Sequence, residues 1–577
     1  TQDIGSNLSG TGGVKLQAGH DLNATAATVN SQAGALIAVA GHDVNIGAGT
    51  DTRSTVADGY VKQKGLLKTK TTTVHTESDE SNAVGSDFTG AQVIVNAGHD
   101  ANITGSNVVS DDLTSITAKN NVNIVASANE SRTNQFEKHT TSGLMGTGGI
   151  GFTVGSKMQS TDTDTVTRTQ NGSTVGSLYG NTNIKAGEHY TQTASTVNSP
   201  VGDVNISAKT VDINAGYNTQ VTDSKSVQKQ SGLTVALSTP ITDALMAAKA
   251  VYDGSKDIGK SKNDRVNAMA VANTAWGTYK AAEGLGKAAS NLASGSGNNG
   301  GAGNISVSIT YGQSKAEQTS HDAAAISVGS TVNAGGKVNI TATGAGTDSN
   351  INIIGSDVYG GTGAALNADN AVNIIAAQDV TSNDSKNKSY SANAGIAIAF
   401  GDGVSFGVTA GASYGKGKSN TDTVTQHNSH VGSGGLTTIE SGGTTTLAGG
   451  QVTGKRVEVD AKDLVITSLQ DTSKAHSDQF DASLQVTVGY GFSASGSLAM
   501  SKSNADYASV GEQSGIIAGD GGYRVNVKNA TNITGGIVTS SQQAEDAGLN
   551  SFTTGTLTTA DVANHADYSA SGFSIGG

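Results

Sequence analysis

One hexapeptide that keeps returning constrains this chain more than any other feature. Ala18-Gly19-His20-Asp21-Leu22-Asn23 comes back as Ala40-Gly41-His42-Asp43-Val44-Asn45 and again as Ala97-Gly98-His99-Asp100-Ala101-Asn102. The triplet Val-Asn-Ile recurs at Val44 to Ile46, Val122 to Ile124, Val204 to Ile206, Val338 to Ile340 and Val372 to Ile374. Adjacent copies lie about 21 or 22 residues apart, which is the length of one coil of a solenoid. Within each triplet the aliphatics fall on one face and Asn on the other, as the period of two in a strand requires. Gly-His-Asp or Gly-Gly just before it reads as the turn, with Gly tolerating positive φ and Asp bonding nearby backbone.

A single coil of this size cannot bury its aliphatic face, so coils must stack, each strand pairing with its equivalents above and below at ~4.8 Å. The expected fold is therefore all-β, a parallel β-helix, with the triplet asparagines stacked into an amide ladder. The chain has 577 residues but only 2 Pro, as suits strands that are all central and need every N–H. With about 330 residues in coils, the rod would have roughly fifteen turns and be about 70 Å long.

The remaining residues read as insertions. Gly-rich apolar alternations occupy Ser142 to Lys157, Ile305 to Lys315, Ala392 to Lys418 and Leu484 to Lys502, flanked by polar alternation such as Ser160 to Thr167 and Ser385 to Ser389. These predict long β-hairpins that project from the rod or pack along it. Ile396 to Phe400 and Leu484 to Phe492 match the strands of membrane β-proteins in length and period, although packing on the rod is the plainer expectation. Pro240 to Ser294 reads as a helical hairpin that covers or interrupts the rod, with Trp276 as its anchor and Ser294 to Gly303 as a flexible exit. The predicted organisation is β-helix with hairpins over 1–238, a helical insertion over 239–298, and β-helix with hairpins over 299–577.

Composition and motifs exclude several functions. There is no Cys, hence no disulfide scaffold, thiolate cluster or cysteine nucleophile, and the net charge of −13 argues against a nucleic-acid-binding stripe. Gly254 to Ser261 fits the letters of a phosphate-binding loop but lacks the preceding buried strand; it reads as an interhelix turn. Gly146 to Gly151 and Gly411 to Gly415 fit the dinucleotide and nucleophile-elbow patterns at chance frequency for a chain with 78 Gly. His20, His42 and His99 read as turn residues, since they would face one another only if intervening coils aligned. His427 with His430 reads as a solvated pair in a polar arm, and Asp162 with Asp164 is too sparse for calcium. No catalytic, cofactor-binding or metal-binding residue is expected, and no enzymatic activity. The start at Thr1 and the end inside an alternating stretch at Gly577 read as those of an internal fragment.

Together the Ala-Gly-His-Asp-Val-Asn-Ile coils, the Ser142 to Lys157 insertion, Ser308 to Lys315 and the closing stretch Tyr523 to Ser540 resemble the haemagglutinin-repeat region of filamentous-haemagglutinin-like exoproteins. More narrowly they are similar to the C-terminal repeat region of contact-dependent growth inhibition effectors of the CdiA type. The resemblance implies a substrate of two-partner secretion, exported by a cognate outer-membrane transporter through the periplasm and displayed on a Gram-negative cell. It further implies a non-catalytic module that aids delivery of a toxin across a target bacterium's outer membrane and inserts there, or alternatively an adhesive rod that meets a surface receptor. Virulence and adhesion belong to the same expectation.

Overall fold

The computed structural model describes residues 1–146, 152–234, 307–401, 403–489 and 492–576. The expected helical insertion over 239–298, with Trp276 and the Gly254 to Ser261 turn, lies outside them, as does part of Gly146 to Gly151. Among the described residues there are 39 strands, one 3-10 turn and one short helix.

Three strands make a coil. The first coil is β1 (Asn7–Gly10), β2 (Val14–Ala18) and β3 (Leu22–Thr25), and the second is β4 (Thr28–Ser31), β5 (Ala35–Ala40) and β6 (Val44–Gly47). Each strand pairs in parallel with its equivalent one coil on, as in Leu8↔Val29, Leu16↔Ala38 and Ala24↔Ile46. The third face can be followed from Leu22 through Val44, Ala101, Val122, Tyr190, Val211, Ile351, Val372, Thr445, Leu464 and Thr531 to Leu557. That path has twelve rungs, so the rod is about 53 Å long at ~4.8 Å per coil. The expected fifteen turns were too many because the insertions take more residues, up to 25 in one strand. The rod also passes 235–306 without a break: Asn205 pairs directly with Asn339 and Val211 with Ile351.

The interior is filled by Val, Ile and Leu such as Leu36, Ile46, Val93, Ile103, Ile184, Ile213 and Ile353, all at or near zero exposure. Side chains pointing outward include the expected asparagine ladder: Asn45 donates to Asn23 at 2.7 Å, Asn102 to Asn45 at 2.7 Å and Asn123 to Asn102 at 2.8 Å. The triplets do not all share one ladder, however. Val204 to Ile206 and Val338 to Ile340 lie on the second face, where Asn205 bonds Asn183 and Asn339 bonds Asn205, each at 2.8 Å.

Glycine serves differently from the expected positive φ. Gly41 and Gly98 precede His42 and His99 without positive φ; a Cβ on Gly41 would lie 2.1 Å from the Gly19 carbonyl oxygen, and one on Gly98 1.9 Å from that of Gly41. Close stacking of backbone sets this choice. Positive φ occurs instead where one coil passes to the next, at Ala26, Gly105, Ala194, Gly355, Gly449 and Gly535, with φ between 45° and 68°. Beside that corner runs a serine ladder: Ala27 N–H donates to Ser86 Oγ, and the chain continues through the N–H and Oγ of Ser106, Ser173, Ser195, Ser330, Ser356 and Ser429, at 2.9 to 3.3 Å. These buried hydroxyls satisfy backbone N–H groups that the sharp turn takes out of the strand ladder.

The left-handed corner closes only the odd-numbered coils. Every even-numbered coil opens at the same corner into an insertion. The first hairpin is β7 (Gly49–Lys64) with β8 (Lys68–Val84). The second pairs Ser127–Gly146 with Phe152–Asn171, the third Gly216–Thr234 with Val307–Val328, the fourth Ala377–Gly401 with Gly403–His427, and the fifth Asp471–Gly489 with Phe492–Ser509; a last strand is His565–Gly576. The hairpins do not pair with rod strands, which corrects the expectation that they pack along it. They pair with each other into one 11-stranded antiparallel sheet. The geometry allows this because strands within a sheet and coils within the rod share the same ~4.8 Å spacing. A hairpin is two strands wide and leaves once every two coils, so each coil from the second to the twelfth supplies the sheet with one strand.

Candidate functional site

The antiparallel sheet makes neighbours of residues roughly 30 to 100 positions apart. One row across it runs Glu77, Asn134, Asp164, Asp223, His321, Asp384, Asn420, His476, Asn504. Because side chains alternate, rows two residues apart share a face. Reading outward from the rod, this face changes character in zones. Nearest the rod it is mainly acidic, with Glu77, Asp79, Glu130, Asp164, Asp223, Asp384, Asp422 and Asp506 set against Arg132, Arg168 and Lys474. Next comes a belt of lysines, Lys138, Lys225, Lys229, Lys315, Lys386, Lys388, Lys416, Lys418 and Lys502, interrupted by Asp162, Glu317 and Asp478. Tyr390 and Tyr414 pair at its outer margin, and from there the fourth hairpin runs on for about eleven residues to its tip. Beyond the lysines the same face carries Leu144, Val154, Leu233, Tyr311, Ala394, Ala410 and Val486 in one row. Of these Leu144, Val154 and Tyr311 are exposed, as are Val408, Leu484 and Val488 alongside. The opposite face is small and uncharged through most of its extent, as in the row Thr163, Ser224, Ser320, Ser385, Ser419, Ser477, Ser503. Hydroxyls bond along it, Ser391 to Ser413 at 2.7 Å and Ser483 to Ser497 at 2.6 Å.

A shallow groove of about 520 Å³ marks the junction of the acidic and basic zones, lined by Asp164, Asp223, Lys225, His321, Asp384 and Lys386 among others. There Asp223 accepts from His321 Nδ1 at 2.7 Å and holds the imidazole pKa above its usual value. Arg132 grips Asp164 with two nitrogens, at 3.3 and 3.0 Å. Glu317 sits between Lys315 at 2.8 Å and Lys225 at 3.1 Å, which lower its carboxyl to about 2.

The structure aligns His20, His42 and His99, contrary to the expectation of intervening coils, because residues 49–84 leave the rod as the first hairpin. Their rings stack with centroids 4.8 and 4.7 Å apart. His42 Nδ1 lies 3.2 Å from Asp21 Oδ1 and 3.1 Å from Asp43 Oδ1, and His99 Nδ1 lies 3.2 Å from Asp43 Oδ1. The Asp43 N–H and the His20 ring hold the Asp21 carboxyl below its usual pKa. The rings are near parallel, 16° and 6° apart, and each Nδ1 that faces a carboxylate oxygen donates its N–H to it. One ligand-type atom from each of His20, Asp21 and His42, and likewise from His42, Asp43 and His99, lies within 4.8 Å of the others in its group, all on exposed or half-buried turns.

The other sequence motifs separate. His430 is in a rod strand, between Asp357 at 2.8 Å and Glu512 at 3.3 Å, whereas His427 ends a hairpin strand and is exposed; they are not a pair in one arm. Asp162 and Asp164 lie in consecutive rows of the sheet's charged face. Gly411 to Gly415 is strand throughout, with no helix after Ser413. The charge zones escaped sequence reading because they exist only across strands: Asp223 and His321 are neighbours separated by 98 residues. The serine ladder had a readable signal, Gly-Ser-x-Val or its variants at Gly85, Gly105, Gly172, Ala194, Gly329 and Gly355.

The chain is 34% identical over 528 residues to the tRNA nuclease CdiA of Escherichia coli strain NC101, covering 89% of this chain and 16% of that protein. It is 34% identical to the 16S rRNA endonuclease CdiA of Enterobacter cloacae, over 99% of this chain and 17% of the relative. To the deoxyribonuclease CdiA of Dickeya dadantii it is 29% identical, again over 99% of this chain and 17% of the relative. The chain thus spans about a sixth of the length of these curated relatives, whose nuclease names describe them as whole proteins. No solved structure matches it. The family model for the hemagglutinin repeat matches residues 67–206 and 308–482, more than half of the sequence. The chain belongs to the hemagglutinin repeat family.

Proposed function

We propose that this chain is a non-catalytic module of a secreted, cell-surface effector of Gram-negative bacteria. In this reading it helps a toxin segment cross a target bacterium's outer membrane in contact-dependent growth inhibition, after export by a cognate two-partner transporter. The observation that carries the reading is the zoned face of the hairpin sheet, apolar at its outer end and backed by a face of Ser, Thr and Gly. Strands of about ten residues with one apolar and one small polar face have the form of membrane β-strands, and all but the two outermost, Gly49–Lys64 and His565–Gly576, are paired on both sides. Three relatives named for three different nuclease activities share this stretch, which supports placing the activities elsewhere in those proteins.

The experiment shortens the fourth hairpin symmetrically in a full-length effector, replacing Asn393 to Gly411 by a two-residue Asn-Gly turn so that Ala392 still faces Ala412. Killing of target cells is expected to fall at least tenfold, with secretion and cell attachment unchanged. Undiminished killing sinks the delivery role. A second reading, an adhesive rod, draws on the unbroken twelve-coil stack, whose stiffness suits display. It requires that attachment, rather than killing, depend on the rod surface.

A further inference from the structure

The lysine belt is densest at the centre of the sheet, where three rows cross the four strands of the third and fourth hairpins. The first row is Lys225, Thr319, Lys386, Lys418, the second Val227, Glu317, Lys388, Lys416, and the third Lys229, Lys315, Tyr390, Tyr414. Seven lysines and a single acid share an area of about 14 by 14 Å on one face. This stands against a whole-chain charge of −13. Three of the cross-strand pairs put like charges directly opposite one another: Lys229↔Lys315, Lys386↔Lys418 and Lys388↔Lys416. Such pairs weaken a sheet, so folding alone gives no reason for them. Glu317 engages Lys225 and Lys315, Asp478 engages Lys418 at 3.3 Å, and Lys388 lies 5.9 Å from the centre of the Tyr414 ring. Lys229, Lys386 and Lys416 are exposed and have no ion-pair partner among the described residues.

We infer that this block binds the phosphate groups of an anionic lipid leaflet, holding the sheet at the depth where its outer zone enters the hydrocarbon. The inference rests on the membrane reading above and adds to it the headgroup chemistry. Two features favour lipid phosphate over nucleic acid. The block ends at a pair of tyrosines, the residue type that settles at the membrane interface with its ring toward the hydrocarbon and its hydroxyl toward water. Immediately beyond lie the exposed apolar residues Tyr311, Val408 and Leu484, with no carboxylate among the described residues of the outer rows. Lysines whose stems run along apolar surface while their ammonium groups reach outward fit the same position.

The test is co-flotation of the 577-residue chain with two kinds of vesicle, phosphatidylcholine alone and phosphatidylcholine with about 30% phosphatidylglycerol, using the wild type and a variant carrying Lys229→Gln, Lys386→Gln, Lys388→Gln and Lys416→Gln. Each lysine near an anionic surface strengthens binding about fivefold. The variant should therefore bind the anionic vesicles about a hundredfold or more weakly, bind the neutral ones as the wild type does, and lose its salt sensitivity on the former. The corresponding four Lys→Arg exchanges should retain binding, which separates charge from damage to the sheet. Equal flotation of wild type and Gln variant on anionic vesicles overturns the inference, as does equal wild-type flotation on both vesicles, and either result leaves the membrane reading standing. Flotation with neither vesicle overturns that reading too. Loss of oligonucleotide binding by the Gln variant, with vesicle binding intact, assigns the block to nucleic acid and refutes the lipid.

Discussion

Removing one coil from the rod should break the hairpin sheet while leaving the rod whole. The cut that tests this is Thr174 to Ser195, a complete coil of 22 residues, after which Ser173 runs straight into Thr196 and the Gly-Ser-Thr-Val corner is preserved. Rod pairing survives because Asn107 faces Thr174 and Thr174 faces Thr196 in the same register. The sheet has no such remedy. The return strand of the second hairpin and the outgoing strand of the third would both start from one coil, about 4.8 Å too close to lie side by side. Their pairing covers 15 residue pairs, from Val154↔Leu233 to Arg168↔Thr219. At about one backbone hydrogen bond per pair, and ~0.5–1.5 kcal/mol net for each, the loss is of order 10 kcal/mol. Hydrogen exchange followed by mass spectrometry reads it directly: amides in 154–168 or 219–233 should exchange at least a hundredfold faster, with those of Val204 to Ala208 still protected. Excising Asp87 to Ser173 instead removes two coils together with one hairpin and should leave the remaining sheet protected. If the single-coil deletion retains protection in both stretches, the matching of two strands to two coils does not hold the sheet, and the reasoning fails.

Three further outcomes follow from local contacts. Gly19 and Gly98 occupy the same place in the hexapeptide, yet a Cβ at Gly19 meets nothing within 4 Å and one at Gly98 lies 1.9 Å from backbone; Gly19→Ala should leave the midpoint of thermal unfolding unchanged and Gly98→Ala should lower it by several degrees. Inside the rod, buried Gln192 accepts from Tyr190 Oη at 2.9 Å and donates to the Ser195 and Thr331 carbonyls at 2.7 and 3.1 Å. Gln192→Leu should cost about 1–3 kcal/mol in denaturant unfolding, and adding Tyr190→Phe should recover part of it by removing the stranded hydroxyl. Near the end of the rod Arg524 bonds Asp460 at 2.8 Å and Glu458 at 2.9 Å; it is the main cause of the lowered Asp460 carboxyl pKa, and adds to Arg456, 2.7 Å from Glu458, in lowering that of Glu458. A depressed folded pKa stabilises above the unfolded value and is lost as pH falls through the folded one, so acid should unfold the wild type with a steeper loss below pH ~4 than Arg524→Gln; identical profiles would refute the pairing.

How much of this was legible in the sequence depends on the distance over which each feature is encoded. The coil and its inward Val and Ile are written within about 22 residues, and the asparagine ladder follows from repeating a triplet at that step. The assignment of triplets to faces was not legible, since Val204 and Val44 sit in identical words and differ only in which strand of the coil they begin. The alternation of closed and open corners is written in single residues, Ala26 or Gly105 against Ala48 or Ala126, and a left-handed Ala carries no mark that distinguishes it from an extended one. The zoned face needs ten registers at once. Lys386 reads as part of a polar flank and Lys418 as the end of a Gly-rich alternation, but a hairpin folded at Gly401 and Gly403 makes them neighbours, and the third hairpin sets Lys225 in the same row.

That dependence has a consequence for how the two parts of the molecule share their roles. In the rod a substitution is felt by the coils directly above and below, because each strand is paired on both sides by chemically similar strands. In the sheet, the spacing is inherited from the rod, while the identity of each row is free to vary, since both faces are open and the ladder bonds are made by backbone. The rod thus supplies a ruler with a mark every ~4.8 Å, and the sheet uses it to set charges and apolar groups at chosen distances from the stack. Three opposed lysine pairs persist there because the backbone pairing, anchored coil by coil, does not depend on the side chains being compatible. A free-standing hairpin with Lys388 facing Lys416 would be marginal in water; fixed at its base and flanked on both sides, it holds those charges in register for an external partner to neutralise.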